Sequence, residues 1–242
     1  MSADEDNVTR SQVDKSPKLP GVDEARITLG KMQNPVRGFL HGTAAIAALT
    51  GSIFLVLRIP TLGGRIAATV FGLGMVALYT TSSLYHSVPW KDLWNRRMQR
   101  LDHSMIFVLI SGTYTPMAWI ALDGWLRIVT LVVVWAIAGV GILQQAFFPR
   151  QRNTFGIALM TTLGWLAIFI IIPLGQRAGT AAVILMALGG LLYTVGMVFL
   201  VTNRPKLWPR VFSYHELFHV MVVAATALHF LVTWRYVAPL AA

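Results

Sequence analysis

Residues 215–234 read HELFHVMVVAATALHFLVTW, and this stretch decides the fold class. Beyond Glu216 it holds no charge, and a helix of about 20 residues covers roughly 30 Å, the thickness of a bilayer's hydrocarbon core. Comparable apolar runs recur along the chain, at about 35–57, 66–87, 102–122, 125–147, 154–174, 179–202 and 211–236. Turn or charge signals separate them, among them Arg58-Ile59-Pro60, the run from Pro89 to Arg100, Asp123-Gly124, Pro149 to Arg152, Gly175-Gln176-Arg177 and Asn203 to Arg210. Lipid offers backbone groups no hydrogen-bond partner, so runs of this length are helices. The expected fold is all-α, a seven-helix transmembrane bundle over 34–242. The polar, mixed-charge stretch 1–33 lacks the apolar core of a signal peptide and reads as a disordered or amphipathic cytoplasmic tail.

Composition agrees. Of 242 residues, 55% are hydrophobic and 12% charged, with a mean hydropathy of +0.62. A soluble domain carries about 25% charged residues. Cysteine is absent, which removes disulfides, thiolate metal sites and cysteine nucleophiles and leaves nitrogen and oxygen to hold any metal. The net charge of +10 lies in short connections without a basic, aromatic-studded face, so it signals membrane topology and anionic headgroups, not nucleic acid.

The distribution of that charge sets an expected orientation. The N-terminal side, counted through Arg37, and the second, fourth and sixth connections hold 15 Lys and Arg; the other connections and the C-terminal end hold 5. The positive-inside rule then predicts a cytoplasmic N-terminus and an outer C-terminus in a multi-pass protein of the bacterial plasma membrane. Trp90, Trp94, Trp119, Trp125, Trp208 and Trp234 fall near span ends as interface anchors. Small residues of the fifth and sixth spans, including Gly156, Gly164, Gly179, Gly189, Gly190 and Gly196, read as close helix packing.

Against this background four residues stand out. His86 closes the second span, Asp102 opens the third, and His215 and His219 open the seventh. Alternating topology brings all four to the predicted cytoplasmic end. Residues four apart on a helix differ by about 40° in direction, so His215 and His219 share a face and form a two-pronged clamp. Three imidazoles with an open fourth position are the chemistry of a catalytic zinc site, and Asp102 could hold a water there and take its proton. Ser82, four residues before His86, lies on the same face and could orient a ligand or a water. His41 and His103 belong to the same end, as supports of the site or packing hydrogen bonders. His229 lies more than three turns deeper than His215 and reads as a hydrogen-bonded interior histidine.

HELFH also fits HExxH, in which the glutamate is a metalloprotease base. Such a site needs a further, usually acidic, ligand, and the nearby-looking Asp123 sits in an outer connection about 30 Å away. A retinal protein needs a lysine within a span, and the last lysine, Lys206, is in a connection; no GxSxG elbow, P-loop or dinucleotide fingerprint occurs.

The segments SSLYH (82–86), RLDHSMIFVLISGTYTP (100–116) and HELFHVMVVAATALHF (215–230) resemble the hemolysin III family, the bacterial branch of the progestin and adipoQ receptor group that includes the adiponectin receptors. The resemblance covers about residues 34–237. It implies a seven-helix zinc site near the cytoplasmic face, with ligands His86, His215 and His219, with Asp102 at the acid that contacts a zinc-bound water, and with Ser82 at the serine of SxxxH. It implies kinship with alkaline ceramidases, hence hydrolysis of lipid amides or esters, with membrane lipids as substrate and a role in lipid homeostasis. A non-catalytic membrane sensor with structural zinc and a pore-forming cytolysin are the alternatives. Members often carry an acid and an Asn shortly before the first-span histidine, where this chain reads Asn34-Pro35-Val36-Arg37-Gly38-Phe39-Leu40-His41, and Glu216 is generally lacking in the adiponectin receptors.

Overall fold

The structure, a computed structural model, describes residues 32–148, 154–208 and 211–241. The expected tail lies outside these residues save Met32 and Gln33, as does the connection at 149–153. Eight α-helices follow: α1 Pro35–Arg58, α2 Leu62–Ser87, α3 Asp92–Ala121, α4 Gly124–Phe147, α5 Thr154–Trp165, α6 Ile171–Ala178, α7 Thr180–Thr202 and α8 Tyr214–Val232. Beyond α8 the chain continues through a π turn, Thr233–Val237, and a 3₁₀ turn, Ala238–Ala241. No β-strand occurs among the described residues. Six helices are long and apolar enough to cross a membrane, and α5 with α6 forms a seventh span bent by 51°.

Two elements depart from the sequence reading. The third helix starts at Asp92, and the run from Pro89 to Arg100, expected as a connection, is mostly helix. Nothing after Pro89 breaks a helix: Asp92 sits in the first turn, where the dipole favours an acid, and Arg96, Arg97 and Arg100 are good helix formers. Polarity marks where the apolar layer stops, not where the helix does. The fifth span is broken, because Pro173 has no N–H to give the Phe169 carbonyl and its ring crowds that turn. A 3₁₀ turn, Leu166–Phe169, replaces the α-geometry there. The Tyr114 hydroxyl on α3 reaches the carbonyls of Leu163 and Gly164 at 2.9 and 3.0 Å, supplying partners where the regular ladder gives way.

Successive spans pack as antiparallel neighbours, α8 closes against α1, and α3 is the most enclosed. Glycines let α2 and α3 approach closely: a Cβ on Gly74 would lie 3.4 Å from the Leu109 Cα, and one on Gly112 3.5 Å from the Phe71 Cα. Gly189 and Gly196 serve α7 against α8 in the same way, whereas a Cβ on Gly164 or Gly190 would meet nothing within 4 Å. Gly179 is not a packing residue either: its φ of +85° makes the turn between α6 and α7. The start of α1, the C-terminal ends of α2 and α4 and the N-terminal ends of α3 and α8 share one end of the bundle. Contacts there include the Asn34 N–H to the His86 carbonyl at 3.0 Å and Arg37 to Glu216 at 2.7 Å. At the opposite end Asp123 pairs with Arg127 and Arg177.

The glycine contacts make a paired prediction. In Gly189→Val the new side chain meets His229 Nε2, 2.5 Å from the Cβ position, and destabilises by about 1–3 kcal/mol through overpacking. Gly190→Ala, one residue on and in open space, leaves stability unchanged or slightly raised. Thermal unfolding of the detergent-solubilised protein distinguishes the two.

Candidate metal centre

On α2 the residues Leu78, Ser82 and His86, each four apart, fall on the buried face, so the last turn delivers the His86 ring to the interior. On α8, Ser213 is the N-cap, and the helix begins at Tyr214, which places His215 and His219 in its first two turns on one side. Their rings lie 5.0 Å apart, nearly parallel at 15°. The His86 ring meets both edge-on, at 5.4 Å from His215 and 4.9 Å from His219. One nitrogen from each of the three lies within 4.8 Å of the others, and among the described residues this is the group of histidines and acids so placed. A tetrahedral zinc with bonds of about 2.0–2.1 Å separates its nitrogens by about 3.3 Å. Small rotations of the rings cover the difference.

The hydrogen bonds of His219 say which atom it offers. Its Nδ1 bonds His41 Nε2 at 2.8 Å, and its Nε2 is buried without a partner. A buried polar atom with no partner costs about 1–3 kcal/mol, and a cation would relieve that cost. His41 is itself 3% exposed and packs edge-on against Tyr79 at 5.1 Å. Asp102 is buried on α3 beside Ser82, and its Oδ1 is without a partner. It stands outside the three-histidine group, so the nitrogens come together without it. The structure thus brings His86, His215 and His219 together as a group that could hold a metal ion. Ser82 meets Asp102 as well as sharing the His86 face.

All the described buried side-chain atoms that lack a hydrogen-bond partner belong to this end: Ser87 Oγ, Asp102 Oδ1, Gln144 Oε1, Gln145 Nε2 and His219 Nε2. The glutamines on α4 were not anticipated, although two amides closing an apolar run in AGVGILQQ were a readable signal. His103 lies next to Asp102 but outside the cluster. The His229 Nε2–H donates to the Met186 carbonyl at 3.1 Å, as an interior histidine should.

Glu216 is engaged elsewhere. Its Oε1 accepts from Arg37 Nε at 2.7 Å and its Oε2 from the Ser213 N–H at 2.8 Å, in a capping box at the start of α8. The pair is 5% and 8% exposed. With both oxygens occupied, the glutamate of HELFH is not placed as a protease base, and Asp123 is at the far end of the bundle. Arg37 lies inside the first apolar run, and an intramembrane arginine needs an acid. Glu216 was one of few candidates at that end, so the pairing was legible and was missed by counting Arg37 only as a topology signal.

Removing one partner of a buried ion pair strands the other. Arg37→Met therefore destabilises by about 3–5 kcal/mol, while Arg37→Met with Glu216→Gln recovers much of that loss. Chemical unfolding in detergent micelles, run as a double-mutant cycle, measures it.

Comparison with known proteins agrees with this architecture. The profile of the family described as haemolysin-III related matches residues 30–230. The chain is 32% identical to the Hemolysin-3 of Bacillus cereus, over 89% of this chain and 97% of that one. It is also 32% identical to the Hemolysin-3 homolog of Bacillus subtilis, over 78% and 87% of the two chains. The human monocyte to macrophage differentiation factor is 24% identical over 82% of each. Seven apolar spans, a histidine cluster on α2 and α8, and a family match over most of the length make this chain a multi-pass cell-membrane protein that belongs to the haemolysin-III related family.

Proposed function

We propose that His86, His215 and His219 hold a zinc ion and that the protein hydrolyses an amide or ester bond of a membrane lipid at the cytoplasmic side of the bilayer. The observation that carries this reading is the layer of unpartnered buried atoms, with His219 Nε2 and Asp102 Oδ1 both in it. Natural proteins pair their buried polar atoms, and a membrane interior makes the exceptions costlier still. A layer of exceptions is what a site for a metal and a polar substrate needs. Three neutral imidazoles without thiolates suit zinc among the common divalent ions.

Zinc, when bound, supplies a Lewis acid that polarises a carbonyl and brings the pKa of water down to about 7. The chain's own residues do the rest. Asp102 accepts a proton at a carboxylate oxygen and returns it to the leaving amine or alcohol. Ser82 fixes the carboxylate through its hydroxyl. His215, half-buried while His86 and His219 are buried, marks the side from which a lipid head reaches the cluster. Membrane lipids are the partners that this reading calls for.

The second reading is a non-catalytic sensor in which zinc only ties helices together. It draws on a specific observation: α1, α2 and α8 are already stitched at this end by Asn34–His86, Arg37–Glu216 and His41–His219.

Metal analysis of the purified protein tests the shared premise. About one zinc per chain is expected, lost in His215→Ala with His219→Ala; full retention in that double variant rules the assignment out. Asp102→Asn separates the readings. Under hydrolysis it keeps zinc but abolishes fatty-acid release from ceramide-like or phospholipid vesicles, because an amide cannot take the proton. Under a structural role with Asp102 as a ligand it loses zinc and stability together. A C-terminal reporter is expected to be active outside, and activity confined to the cytoplasm would place the site in the other leaflet.

A further inference from the structure

The first two turns of α1 lie between the two elements that carry the histidines, and they contact each with a different face. Gly38 and Gly42, four apart, face the end of α2. The Gly38 carbonyl accepts from Ser83 Oγ at 2.8 Å. A Cβ on Gly38 would run into the Ser87 side chain, and one on Gly42 would come within 3.2 Å of Ser83 Oγ. Just before the helix, the Gln33 and Asn34 N–H groups bond the Ser87 and His86 carbonyls at 3.2 and 3.0 Å. Arg37 and His41, also four apart, face the start of α8, where they meet Glu216 and His219. The backbone of one metal-bearing residue, the side chain of a second and the neighbour of the third are thus all held by residues 33–42.

We infer that this segment is a bracket that sets the spacing of the three histidines, with His41 as its principal positioning residue. The inference rests on the zinc reading above. For His219 to offer Nε2 to a cation it must carry its proton on Nδ1, and His41 Nε2, 2.8 Å away, is the acceptor that fixes this tautomer and the ring's rotation. Arg37 holds Glu216, Glu216 caps α8 through the Ser213 N–H, and the cap fixes where His215 emerges. On the other face, the lack of a Cβ at Gly38 lets α1 sit directly on the last turn of α2, so His86 and the α8 pair are referred to one short helix. His41 touches neither a substrate nor the metal in this arrangement; it acts through His219.

The test uses the full chain in detergent, with zinc affinity read by chelator competition and the coordination sphere read by the absorption spectrum of the cobalt-loaded protein. His41→Leu removes the acceptor and is expected to weaken zinc binding about 10–100-fold and to shift the cobalt bands. His41→Gln, whose amide oxygen reaches the position of the imidazole Nε2, is expected to bind zinc close to wild type with a wild-type spectrum. That rescue is what a mere packing role for the ring would not give. His41→Phe keeps a ring but offers His219 no acceptor, so it should behave like leucine; it carries the test if the leucine variant does not fold. Wild-type affinity and spectrum in His41→Leu or His41→Phe, or an equal loss in His41→Gln, overturns the bracket while leaving the zinc site standing. A wild-type protein that takes up neither zinc nor cobalt overturns the zinc reading itself, and the bracket with it.

Discussion

Lipid cannot accept or donate a hydrogen bond, and the rest of this structure follows from that constraint. Within the spans, serine and threonine hydroxyls turn back to the carbonyl four residues earlier: Ser52 to Ala48, Thr113 to Leu109, Thr194 to Gly190, Thr226 to Val222, Thr233 to His229. Others cross between helices, as Ser111 does to the Val134 carbonyl and Tyr193 to Thr226. At the broken fifth span, too, Tyr114 meets the Leu163 and Gly164 carbonyls. Set against that economy, the atoms left without partners at one end are a departure that a bundle built only for stability would not carry.

Much of this is legible in the sequence. Spans of apolar residues fix helices because the bilayer permits little else, and the alternation of spans brings Ser82, His86, Asp102, His215 and His219 to one end. What the hydropathy pattern could not show is where helices continue past the apolar layer, since polar residues such as those from Asp92 to Arg100 make good helix in water. Nor does it show a bend, because the apolar run through Pro173 is unbroken in composition. Of the site, the histidines of the cluster and their spacing were readable from HxxxH and SxxxH. The supports were legible only in part: Arg37 in an apolar run asks for an acid and Glu216 is one of few at that end, whereas the bond from His41 to His219 spans 178 residues of sequence and leaves no local pattern.

The HELFH segment shows how one string of residues satisfies two motifs of different physics. As HExxH it specifies two ligands and a base; as Ser213-Tyr214-His215-Glu216 it specifies a capping box. The two demand different directions of the same glutamate. The first helical turn leaves N–H groups without partners, and a carboxylate three residues in is well placed to fold back on the N-cap. Adding Arg37 to the second oxygen commits the side chain fully. The histidines remain on the opposite demand, facing His86, which is why the clamp survives while the base does not.

His219 and His229 make the same point for a single residue type on a single helix. Both are buried, both bond across to another helix, and each would be costly in lipid if left alone. His229 bonds the Met186 carbonyl through Nε2, over a glycine that makes room for it. His219 spends one nitrogen on His41 and leaves the other buried and unanswered, beside two further imidazoles. On this one helix the two histidines differ in what the protein leaves open at Nε2: His229 has it bonded to a neighbouring helix, whereas His219 keeps it buried without a partner at the end where two further imidazoles gather.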